Sequence, residues 1–121
     1  MVIISVAEYL DDEGQEVLLE LCSGDVRLHA FCYPFKETNP KTAEKVILHA
    51  LFAHNIGPCS TVNPPYRTSK TSFSYHIDAK ILDIKERLVN LGYIDIILDS
   101  AIDSSFPIGS TISFDVVRLD Y

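Results

Sequence analysis

From Phe73 to Ile81 the chain alternates without a break. Phe73, Tyr75, Ile77, Ala79 and Ile81 are apolar, and Ser74, His76, Asp78 and Lys80 between them are polar or charged. Successive side chains of a strand point to opposite faces, so this pattern predicts a strand with one dry and one wet face. Val2–Leu10, Glu16–Cys22 and Val26–Tyr33 read the same way, although Ile3 blurs the first. Asp11 to Gly14 and Ser23-Gly24-Asp25 join them with turn-forming residues, which predicts an antiparallel meander. Thr71 to about Ile84, Tyr93–Asp99 and Thr111–Asp120 supply three more strands. Lys85–Gly92 reads as one helical turn or a loop.

Ala43–Ile56 has two readings. As a helix it has Thr42 as N-cap, a stripe of Val46, Ile47, Ala50, Leu51 and His54, and a Gly57-Pro58 stop. As a strand it is apolar on both faces, Val46, Leu48, Ala50 and Phe52 on one and Ile47, His49, Leu51 and Ala53 on the other. Periodicity leaves both open. The fold class expected is mainly β: one small antiparallel barrel of six or seven strands over residues 1–121, with at most one or two short helices. A β-sandwich, or an α+β fold with a helix at 43–56, is the alternative. The element order is similar to an OB fold, in architecture alone, and no motif ties the chain to a family.

Charge narrows the partners. Residues 1–35 carry seven acidic side chains and one basic one; residues 36–70 carry five basic and two acidic. The whole chain stands at −7. An acidic body repels phosphate, so nucleic acid is disfavoured as a partner. Cys22, Cys32 and Cys59 are odd in number and lack CxxC spacing, which is not a disulfide framework. The first residues have no basic stretch before Glu8, and no apolar run nears the ~20 residues that span a bilayer. The expected location is cytoplasmic, with reduced thiols and no membrane.

No motif specifies a reaction, a cofactor or a metal site, and none is expected. The leading candidate surface is the wet face of the third strand, where Phe31 and Tyr33, followed by Phe35, offer rings flanked by Arg27 and His29. The competing expectation is that Ala43–Ile56 or a partner subunit covers this face. The second candidate is the loop from Asn63 to Lys70, where Tyr66, Arg67 and Lys70 suit an anionic group. His76 and Asp78 share one strand face, without a second pair at metal-ligand spacing. The function expected from these features is a non-catalytic protein-interaction module, in its simplest form self-associating into a homo-oligomer. A single-stranded nucleic-acid binder of OB type, and a small-ligand protein or enzyme with a barrel-mouth pocket, are the other two readings.

Overall fold

The computed structural model describes residues 1–121 and contains no helix. The meander forms as its turns dictate. β1 (Val2–Tyr9) pairs antiparallel with β2 (Val17–Ser23), and β2 with β3 (Val26–Cys32). Gly24, at φ +60°, supplies the left-handed residue of the β2–β3 turn. Ala43–Ile56 is extended, not helical: β4 (Thr42–Ala43), β5 (Val46–Leu51) and β6 (His54–Pro58). Asp99 decides where β5 stops. Its carboxylate accepts the Phe52 and Ala53 N–H groups at 2.6 and 2.9 Å, holding Phe52 at φ +55°. That bond comes from 47 residues away, which no local pattern reports. The expected double burial of this segment is also corrected. Val46, Leu48 and Ala50 are buried, while Ile47 and His49 are exposed.

The remaining strands are β7 (Tyr66–Arg67), β8 (Tyr75–Asp83), β9 (Leu88–Leu91), β10 (Ile94–Ile97), β11 (Thr111–Val116) and β12 (Arg118–Asp120). Lys85–Gly92, expected as a helical turn or loop, instead supplies β9. Arg87 at φ +57° and Gly92 at φ +74° sit at the turns before and after it. Phe73 and Ser74 precede β8, so the alternating run enters the sheet at Tyr75.

Twelve strands make one mixed sheet in the order β4-β1-β2-β3-β12-β5-β10-β9-β8-β11-β6, with β7 on the free part of β8. The sheet is open. This corrects the closed antiparallel barrel of six or seven strands, and the error has a clear source: neighbours in sequence were expected to be neighbours in space. The last strand, β12, inserts between β3 and β5, parallel to the former and antiparallel to the latter. β10 lies parallel to β5. No helix is long and apolar enough to cross a membrane.

The sheet curls around a buried cluster drawn from both of its halves and from β12 between them, Ile4, Leu19 and Leu28 together with Ile77, Ile96, Phe114 and Leu119. The curl brings β8 to the edge of β3. β12 bridges β3 through Phe31 alone, which leaves the His29 N–H without a strand partner. The buried Tyr75 hydroxyl accepts it at 3.0 Å. The contact between β8 and β3 is therefore made by the Tyr75 side chain, not by a backbone ladder.

Candidate functional site

The face bearing Phe31 and Tyr33 is the outer face of the curled sheet, and β5 extends it instead of covering it. Register places Phe31 opposite Asp120, Asp120 opposite His49, and His49 opposite Ile97. Arg118 stands opposite Leu51, and Ile47 opposite Asp95. Tyr33, just past β3, is 70% exposed, and Ile47 is 51% exposed. Tyr33, Tyr121, Phe31 and Arg118 line one shallow depression. Apolar groups thus lie on β3, β5 and β10 of this face, with Arg118 and Asp120 of β12 between them.

The other residues singled out in the sequence are dispersed. Arg27 is exposed on β3, and His29 is half-buried beside it. Phe35 leaves the aromatic set altogether: its N–H donates to the Gln15 carbonyl and its ring packs on the core. Arg67 comes to the aromatic set through Phe73, whose ring it covers at 4.3 Å. Phe73 in turn meets His29 at 5.2 Å and Phe31 edge-on at 6.1 Å. Tyr66 instead stacks on His76 at 5.2 Å, and Lys70 stays in the exposed turn with Thr68 and Ser69. Sequence reasoning missed Phe73 and Arg118, the latter 4.5 Å above the Phe31 ring. The signal for Phe73 was its place at the end of a long loop; Arg118 had none, because β12 borders β3 only in the fold.

His29 is held on three sides. Its Nδ1 lies 3.1 Å from the Tyr75 hydroxyl and its Nε2 3.4 Å from Glu20. The Tyr75 hydroxyl, which accepts the His29 backbone N–H, donates to Nδ1 in one ring tautomer and accepts from it in the other. Burial lowers the ring below its ordinary 6.5; Glu20 opposes this, while Arg67 and Arg27 add to it. Burial likewise raises the Tyr75 phenol. A depressed folded pKa means that the unfolded chain takes up a proton the folded chain resists. The stability this contributes is full above 6.5 and is lost as pH falls below it. We expect the urea midpoint to drop between about pH 7.5 and about pH 5.5, and His29→Gln to shrink that drop. An unchanged drop in the variant would assign the effect to other groups.

A second polar cluster lies on β8, β11 and β6. His76 Nδ1 is 2.8 Å from Asp115 Oδ1, and Asn55 donates to Asp115 Oδ2 at 2.9 Å. The Asn55 amide, with His76 second and burial opposing, keeps the Asp115 carboxyl below its ordinary range. Asp78 is 5% exposed; the Asn63 N–H donates to its Oδ2 at 3.1 Å. Its Oδ1 is 3.3 Å from His76 Nε2 and makes no hydrogen bond. The cluster ties the 63–66 loop and β6 onto the sheet. No group of three or more His, Cys, Asp or Glu side chains is arranged to hold a metal ion.

Asp95 lies in β10 between Ile94 and Ile96. It is 3% exposed and is capped by Lys45 Nζ at 2.8 Å and Asn90 Nδ2 at 2.6 Å. Its charge is therefore matched next to Ile47. The thiols are unpaired with one another. Burial pushes those of Cys32 and Cys22 up, with Glu20 adding to the latter, so neither is an activated nucleophile. An open cleft of about 470 Å³, lined by Lys80, Asn90 and Thr111, separates the Gly24 turn from Pro64 and Pro65. No family model, curated protein or solved structure matches the chain.

Proposed function

We propose that this chain is a non-catalytic protein-interaction module that works through the outer face of β3, β12 and β5, with a second copy of itself as the simplest partner. The observation that carries the reading is the uncovered face on which Tyr33 and Ile47 stay exposed beside Phe31, Leu51 and Tyr121. Exposed apolar patches of this kind mark contact surfaces. Local charge permits a two-fold contact despite the net −7. Arg118 bonds Asp120 at 2.8 Å and Lys45 bonds Asp95, so no bare carboxylate lies between Phe31 and Ile47. An ordinary interface of about 800 Å² per partner would take roughly a tenth of the 7002 Å² surface.

The stacking platform required by the nucleic-acid reading is already occupied. Arg118 covers Phe31 and Arg67 covers Phe73, and Arg67 is tied to the Ser72 carbonyl through Nε and Nη2 at 3.1 and 2.6 Å. The test is sedimentation equilibrium across the micromolar range. The wild-type chain is expected to dimerise, and Ile47→Asp to remain monomeric while keeping its circular dichroism spectrum. A wild-type monomer throughout would refute self-association. A dimer indifferent to Ile47→Asp would place the contact on another surface.

A further inference from the structure

β1 is bonded to β2 along its length but has little on its other side. There only Val2 and Ile3 have strand partners, Ala43 and Thr42, and the Ile4 N–H donates to the Lys41 carbonyl at 2.8 Å. Pro40, with no N–H, precedes that carbonyl. From Ser5 to Tyr9 no strand borders this edge. Between the edge and residues 35–41 runs a groove of about 280 Å³, whose floor is Ile4, Val6, Leu19 and Phe35. Val6 and Phe35 are half-buried against the core. Backbone groups of an edge strand alternate in direction, so Val6 presents its N–H and carbonyl to the same side as Ile4.

We propose that this groove takes an extended peptide of a partner protein as an added strand, one alternating apolar and basic residues. The main-chain groups of β1 would bond the peptide backbone, and alternate side chains would enter the slot over Leu19 and Phe35. Charge selects the sequence. Glu37 lines the groove and accepts the Tyr9 hydroxyl at 3.5 Å; Glu8 is exposed on β1, and Asp11, Asp12 and Glu13 follow it. Lys41 is the lone cation of the lining and marks the far end. A second copy is the wrong occupant, because it brings the same carboxylates to the same edge. Glu8 and the bulge between Val6 and Glu8 further deter edge-to-edge pairing of copies. An antiparallel peptide continues the line of β4 and stops where Lys41 already occupies the Ile4 N–H. This surface is separate from the outer face of β3, β12 and β5, and its proposal stands or falls independently.

The test uses the full chain and three fluorescein-labelled peptides, repeats of Lys-Val, Lys-Ser and Glu-Val, at low salt. Saturable binding of the Lys-Val peptide is expected, with amide shifts at Val6 to Tyr9 and Phe35 to Lys41. The equally charged Lys-Ser peptide is expected to bind at least about tenfold more weakly, since it leaves the apolar slot empty. The surface double variant Glu8→Lys, Glu37→Lys is expected to weaken Lys-Val binding by about tenfold and to gain affinity for Glu-Val. Phe35→Ala checks the slot by a second route. Failure of the Lys-Val peptide to bind, equal binding of Lys-Val and Lys-Ser, or shifts centred on Phe31 and Ile47 would each overturn the proposal. So would shifts at Val6 to Tyr9 that grow with protein concentration alone, which would identify a second copy on the edge.

Discussion

Leu119→Ala is expected to cost about 2–5 kcal/mol of unfolding free energy, out of about 5–15 kcal/mol for a domain of this kind. Leu119 is fully buried at the centre of β12, a strand of three residues. β12 alone connects the β4-β1-β2-β3 half of the sheet to the half that begins with β5. The cavity left by Ala would loosen the strand that splices the two halves together. Urea unfolding reads the loss, with Val117→Ala as control. Val117 lies two residues earlier, just before β12, and is exposed, so its truncation is expected to stay within about 0.5 kcal/mol. Equal effects of the two changes would mean that β12 does not hold the halves together.

Tyr75→Phe removes one oxygen from the seam between β8 and β3. That oxygen serves both the His29 N–H and His29 Nδ1. Leaving partners unpaired in a dry site costs about 1–3 kcal/mol. The pH dependence of His29 is expected to persist in this variant, because burial is the main cause of its lowered ring pKa. Thermal melting at neutral and mildly acid pH checks this; a lost pH difference in Tyr75→Phe would show that the phenol governs the ring.

What the sequence made legible was local, and most of the misses were long-range. The alternations in Val17–Ser23, Val26–Cys32 and Tyr75–Ile81 specify their dry faces, because a strand's period is fixed by the backbone and burial of one face selects the register. Leu19, Leu28 and Ile77 are buried as that pattern requires. Ala43–Ile56 stayed ambiguous because its ending depends on Asp99 and its pairing on β10 and β12, residues the local pattern does not contain. Strand order was out of reach for the same reason. Phe31 lies on the side of β3 opposite Leu28, Ala30 and Cys32, as the alternation requires, but the continuation of that side through Asp120, His49 and Ile97 exists only once β12 and β10 are in place. Phe35 was grouped with Phe31 by spacing; Pro34 turns the chain between them and sends its ring to the core.

The proposed interaction surface requires that β12 lie between β3 and β5. Solution NMR measures this directly through nuclear Overhauser contacts from Asp120. Contacts to Phe31 on one side and to His49 on the other are predicted. Contacts to one of them alone, with β3 and β5 in unconnected sheets, would contradict the fold described here and remove the face on which the proposed function rests.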